Sequence, residues 1–154
     1  MAGKIFTKAT KKFFDGTFGA LTSLDTRVAL LLTTLDPSTL QDSAEFMSDL
    51  TPGTNEFDGA NYTGGPGGAG RKATANESFS IENATDRTEF TFDPLVWTAL
   101  GAGTTNVGYA ILYVHNAADA SAALIGYFPV NLPATGSNFT LTPHADGALQ
   151  AQAV

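Results

Sequence analysis

From residue 71 onward, apolar and polar residues trade places at every second position in short runs, and this alternation limits the fold more than any other feature. Ser78-Phe79-Ser80-Ile81 and Thr88-Glu89-Phe90-Thr91-Phe92 carry it most plainly. Successive side chains of a strand point to opposite faces, so each run lays one face on a core and the other in water, as half-buried antiparallel strands do. Two longer stretches, Val107 to His115 (VGYAILYVH) and Ala122 to Val130 (AALIGYFPV), flank the polar connection from Asn116 to Ser121 and predict a hairpin. Asn138 to Thr142 supplies another alternating strand before Pro143, and Gly147 to Val154 gives either a last strand or a free tail. Roughly seven short strands at this spacing predict a mainly β chain, an antiparallel sandwich of jelly-roll kind. Phe79, Ile81, Phe90, Phe92, Tyr109, Ile111, Tyr127 and Phe139 occupy the alternating positions, and most of them are expected to lie in the core.

The first fifty residues read differently. Over residues 4 to 14, Ile5, Phe6, Ala9 and Phe13 fall on one side at 100° per residue and Lys4, Lys8, Lys11 and Lys12 on the other, which predicts an amphipathic helix stopped by Asp15-Gly16. Arg27 to Thr34 (RVALLLTT) is bounded by Asp25 and by Asp36-Pro37 and predicts a buried strand. Ser38 to Leu50 predicts a second helix, with Ser38 as N-cap, Gln41 completing a capping box and Thr51-Pro52-Gly53 ending it. Residues 51 to 70 hold seven glycines and two prolines and read as an exposed loop or an extension able to embrace a neighbouring subunit. The expected organisation is an N-terminal arm over residues 1–16 and one β-rich domain over residues 17–154, with the Gly-rich loop at 51–70.

Composition excludes several function classes. A chain of 154 residues is one domain's length and can bury a real core. Its net charge of -7 opposes nonspecific nucleic-acid binding, which depends on Lys and Arg neutralising phosphates. Half of the eight basic residues lie in the first twelve positions, which contain no acid, so a cationic arm precedes a strongly anionic body. Such an arm suits either an acidic surface, a neighbouring copy included, or simply a solvated helix face. Without cysteine there can be no disulfide, thiolate nucleophile or Cys-ligated zinc. The longest strongly apolar stretch, Val28 to Leu32, is too short to span a bilayer, and the start does not resemble a signal peptide. A soluble chain made in a cytoplasm is the expectation.

No catalytic, cofactor or metal constellation emerges. His115 ends an expected strand and His144 follows Pro143 in a turn, and both read as boundary residues with solvated rings. Ser121, His115 and Asp119 compose a triad only on paper, because no nucleophile elbow surrounds Ser121. Gly65, Gly67 and Gly70 form G-x-G-x-x-G ahead of Arg71 and Lys72, yet neither a preceding strand nor a following helix is expected, so a phosphate cradle is not indicated. The carboxylate pairs Glu82 with Asp86 and Glu89 with Asp93 sit at strand edges, where sequence cannot show the facing geometry of a glycosidase. The N-x-[ST] matches at Asn61, Asn76, Asn83 and Asn138 imply glycosylation only in a secreted protein. Trp97 suits core packing, an interface or a sugar-stacking platform.

A strand ending in YAILYVHN, the turn AADASAA, LIGYFPVNLP, a Gly-containing spacer and the closing NFTLTPHADGALQ follow a helix IFTKATKKFF that leads into TRVALLL. This order of elements resembles small virion proteins of tailed bacteriophages, particularly capsid cement or decoration proteins with a jelly-roll-like sandwich. The segment Gly64 to Gly70 has no counterpart in that pattern. The resemblance implies a non-enzymatic protein on the capsid exterior, bound at capsomer junctions to the major capsid protein and to copies of itself as a dimer or trimer. It implies no cofactor, metal, nucleic acid, membrane or small-molecule substrate. Its mechanism would be mass action, since a protein that binds only the assembled lattice stabilises it. The expected interface residues are Lys4, Lys8, Lys11, Lys12, Phe14, Gly64, Gly67, Arg71 and Trp97. The alternatives are a tail or baseplate component and a carbohydrate-binding β-sandwich that stacks sugars on Trp97.

Overall fold

A computed structural model describes residues 3–83, 87–144 and 147–152. The chain is mainly β, with antiparallel sheets and, among the described residues, two helices. In chain order the elements are β1 (Lys4–Ile5), α1 (Thr7–Phe14), β2 (Thr26–Leu32), α2 (Pro52–Asn55), β3 (Lys72–Ala73), β4 (Ser78–Glu82), β5 (Arg87–Thr91), β6 (Leu95–Trp97), β7 (Val107–Val114), β8 (Leu124–Leu132), β9 (Phe139–Leu141) and β10 (Leu149–Gln152). They form a five-stranded sheet in the order β1-β8-β7-β2-β3, a three-stranded sheet β10-β5-β4 and a pair β6-β9.

The core lies around β2, β7 and β8. Val28 to Leu32 are all buried, as are Ala110 to Tyr113 and Leu124, Ile125 and Tyr127, which is why these strands read as continuous apolar runs and not as alternating ones. The expected hairpin across residues 116–121 is present, with Ile111 of β7 opposite Tyr127 of β8. The expected buried strand near residue 27 is β2, held between β7 and β3.

The N-terminal helix is shorter than its amphipathic pattern. Lys4 and Ile5 pair with Tyr127 and Gly126 of β8, and the Phe6 N–H donates to the Ile125 carbonyl (3.0 Å). Gly126 permits this approach, because a Cβ there would lie 2.7 Å from the Lys4 carbonyl oxygen. The helix begins only at Thr7, and it ends where Asp15-Gly16 predicts, with Gly16 at φ 75°. Phe6 and Ala9 are fully buried, so the arm is docked on the body by its apolar face.

The helix expected over Ser38–Leu50 does not form. Two 3-10 turns, at Pro37–Leu40 and Met47–Leu50, occupy its ends. Asp36 caps the first in place of Ser38, its carboxylate accepting from the Ser38 N–H (2.9 Å). Between them the backbone is captured by the start of β8: Met47 N–H donates to the Ala122 carbonyl and Leu124 N–H to the Glu45 carbonyl, each at 2.9 Å. Tertiary pairing thus overrides a local capping signal.

Residues 51–70 are not a free extension either. Phe57 N–H donates to the Leu30 carbonyl (2.9 Å) beside a Leu31–Glu56 bridge, and Phe57 and Tyr62 are buried with their rings edge to face at 5.7 Å. The segment follows the edge of β2 and folds onto it.

In β5 and just after it, Phe90 and Phe92 are buried, while Phe79 of β4 is 51% and Ile81 74% exposed, contrary to their expected place in the core. All five β4 residues are exposed, because β4 is the outermost strand of its sheet. Tyr109 and Phe139 are only partly buried against the core. The expected last strand is β10, paired with β5. Asp86, which sequence reading paired with Glu82, lies outside the described residues.

Candidate interaction surface and the ion network behind it

Three of the four arm lysines are engaged within the chain. Lys8 and Lys12 lie 3.8 and 3.0 Å from Glu45, and Lys11 lies 2.7 Å from Asp15. Lys12 also sits 4.6 Å from the Phe46 ring centre and 5.6 Å from that of Phe18, so its charge is met by a carboxylate and by aromatic faces together. The hydrogen bond from Lys11, then those from the Thr17 hydroxyl and N–H, hold the Asp15 carboxyl well below the usual range. Lys4 is exposed on β1.

Arg71, expected at an interface, is buried with its side chain fully covered. Its Nε and Nη2 donate to the two Glu56 oxygens, each at 2.8 Å, while Nη1 donates to Asp119 Oδ1 and Nη2 to Asp119 Oδ2 (3.1 Å). Tyr62 donates to Glu56 Oε1 (2.9 Å) and accepts from the Leu30 N–H (3.0 Å). Burial pulls the Arg71 pKa down, but the bonds to Glu56 and Asp119 outweigh it, and the guanidinium stays charged well above its ordinary value. Burial, and next the neighbouring Glu56 charge, push the Tyr62 hydroxyl well up.

This network fixes the Gly-rich segment. Gly65 N–H donates to Glu56 Oε2 (3.0 Å), so the chain's own carboxylate takes the position that a phosphate would need in a Gly-rich cradle. A Cβ at Gly64 would meet the same carboxylate at 2.8 Å, and one at Gly68 would lie 2.0 Å from the Thr63 carbonyl oxygen. Gly67 faces open space. Gly70 offers its carbonyl to the Trp97 indole N–H (2.6 Å), and Trp97 is 1% exposed, packed 5.4 Å from the Phe139 ring. Trp97 is therefore a core residue, and neither its expected interface role nor a sugar platform is available to it.

The remaining candidates for chemistry do not converge. Asp119 is committed to Arg71, and the Ser121 hydroxyl donates to the Ala118 carbonyl (3.1 Å), so the paper triad is not assembled. The His115 ring is not freely solvated: Nδ1 is buried without a hydrogen-bond partner among the described residues, and the ring stands edge to face with Tyr113. His144 is exposed after Pro143.

The feature that sequence reading missed is an apolar surface. A groove of about 320 Å³ runs between α1 and the β10-β5-β4 sheet, lined by Ile5, Thr10, Phe13, Phe14, Leu21, Phe79, Thr88, Phe90 and Leu149, without a charged side chain. Phe14 at its rim is 88% exposed, and Phe79 packs 5.2 Å from Phe90 on its floor. Ile81, opposite Thr88 in the register, extends the same face outward. Of the nine expected interface residues, Phe14 alone lines this surface. Comparison with protein-family models, curated proteins and solved structures finds no match.

Proposed function

We propose that this chain is a virion structural protein, a cement or decoration protein that binds and stabilises an assembled phage capsid from outside, built as an antiparallel sandwich of jelly-roll kind. The observation that carries the reading is the exposure of Phe14 and Phe79 at an uncharged groove, with exposed Ile81 two residues beyond Phe79 on the same strand face. Contiguous exposed apolar surface on a folded chain marks a place where another macromolecule sits. The resemblance of its order of elements to capsid cement proteins supports the shell as that macromolecule. Phe14 is the anchor offered to it, and the Gly-rich segment, pinned from behind by Arg71, offers a stiff rim at the open Gly67 position. Stabilisation follows from linkage: a protein that binds the lattice and not its separated subunits adds RT ln(1 + [L]/Kd) at every site, and icosahedral symmetry multiplies a modest gain over many copies.

The test is to add the purified protein to shells that lack it and to measure shell occupancy by cryo-electron microscopy and the temperature of shell disassembly. The expected outcome is ordered density at capsomer junctions and a higher disassembly temperature, both lost with Phe14→Asp. Density on the tail would transfer the reading to a tail or baseplate component. No density on any part of the particle, with disassembly unchanged, would remove it.

A further inference from the structure

We infer that β4 is the edge through which two copies of this chain pair, antiparallel and about a two-fold axis at Ser80. The inference deepens the reading of the chain as an assembly component and rests on it for the pair's role on a shell. β4 closes the β10-β5-β4 sheet with all five residues exposed, and among the described residues no strand pairs beyond it. Of the usual devices that blunt an edge it carries only the terminal charge of Glu82: Ser78-Phe79-Ser80-Ile81-Glu82 contains neither Lys nor Pro, and its pairing to β5 runs without a bulge.

The strand is self-complementary in one register. A two-fold at Ser80 sets Phe79 opposite the second copy's Ile81, Ser78 opposite its Glu82, and Ser80 opposite itself. Phe79 and Ile81 share the face on which Phe90 and Thr88 stand, so both cross-copy pairs extend the apolar floor of the groove into a neighbour. Aromatic pairs with β-branched residues are among the favourable cross-strand combinations.

Charge selects this face for a second copy. Two chains of net charge -7 repel wherever carboxylates meet. Within β4 each copy brings one acid, Glu82, which the register places against serine, while Glu77 just before the strand is turned back onto the hydroxyls of Thr26 and Thr74. The two Glu82 side chains stand four residues apart along the ladder, about 13 Å, which exceeds the Debye length of about 8 Å at physiological salt. A five-residue edge covers less than the roughly 800 Å² per partner of a standard stable interface, so the pair forms reversibly with concentration. On a shell, neighbouring attachment sites raise the effective concentration and hold it together.

The chain contains no cysteine, which makes a register test direct. Residues directly opposite in an antiparallel pair have Cα atoms about 4.5–5.5 Å apart, inside the range of about 4.4–6.8 Å that a disulfide spans. The thiol introduced by Ser80→Cys is expected to cross-link two copies on mild oxidation, at least about tenfold faster than the one introduced by Ser78→Cys, which the register holds too far from its counterpart. Sedimentation of the unmodified protein is expected to show a monomer–dimer equilibrium that Ile81→Lys abolishes, with the circular dichroism unchanged because Ile81 is already 74% exposed. A monomer at every concentration, or equal cross-linking from the two thiols, would overturn the inference. A monomer that still decorates shells would remove the pair and leave the cement reading in place; a dimer that ignores shells would support the pair and remove the cement reading.

Discussion

Arg71 shows how far one side chain can sit from its sequence signal. Following Gly65, Gly67 and Gly70 and adjoining Lys72, it reads as an interface residue just past a Gly-rich loop, yet its counter-charges lie 15 and 48 positions away, at Glu56 and Asp119. Local pattern cannot report partners at those separations; only the fold of β2 against the β7–β8 connection brings them together. Two carboxylates on one guanidinium leave the network short of one positive charge, so its cation cannot be removed cheaply. Arg71→Met, which fills similar space without the charge, is expected to lower stability by about 3–5 kcal/mol, the usual cost of leaving a buried charge unpaired. At about 2–4 °C per kcal/mol for a domain of this size, the melting temperature should fall by roughly 6–20 °C. Arg71→Lys should lose less, because it keeps the charge while giving up the forked contacts. Thermal unfolding followed by circular dichroism measures both. A loss below about 1 kcal/mol for Arg71→Met, the range of an exposed pair, would mean that the network is solvated.

At the scale of elements, alternation and amphipathicity were legible where a single element decides its own form. The helix face, its stop at Asp15-Gly16, the buried β2 and the β7–β8 hairpin all follow from local periodicity and turn chemistry. What stayed hidden was decided between elements. β1 exists because Gly126 lets the chain approach β8, and the Ser38–Leu50 segment gives up its helix because β8 captures its backbone. β4 alternates correctly, but alternation says only that two faces differ, not that a second layer covers the apolar one. The docking of the arm has a consequence for the fold. Phe6 is fully buried against Tyr127, 5.3 Å between ring centres, so Phe6→Ala is expected to cost about 3–5 kcal/mol in urea unfolding. Deleting residues 1–14 would remove that anchor with β1 and α1, and a loss of shell binding in such a truncation would report the damaged fold. Near-native stability of Phe6→Ala would show instead that the arm is a detachable appendage, as its sequence suggested.

For the whole molecule, the question is which force brings a chain of net charge -7 to its partner. The sequence points to electrostatics, because four lysines head a body rich in carboxylates. The fold pairs most of that charge within the chain: Lys8 and Lys12 meet Glu45 and Lys11 meets Asp15 at the surface, beside an uncharged groove and the exposed Phe14. The proposed attachment to a shell should then tolerate salt. Raising ionic strength from about 0.1 M to about 1 M contracts the Debye length from about 10 Å to about 3 Å, which would largely erase attraction between exposed charges. Contact through apolar surface is not screened in this way, so shell affinity is expected to change by less than about threefold over that range. Burying a Phe side chain contributes about 1.5–3 kcal/mol, and each 1.4 kcal/mol is about tenfold in affinity. Phe14→Asp should therefore weaken binding at least about tenfold at either salt, with folding intact because the residue is 88% exposed. Titration of shells with labelled protein at the two ionic strengths reads both effects. Binding that collapses with salt while Phe14→Asp binds normally would return the attachment to Lys4 and its neighbours and leave the apolar groove without a role at the shell.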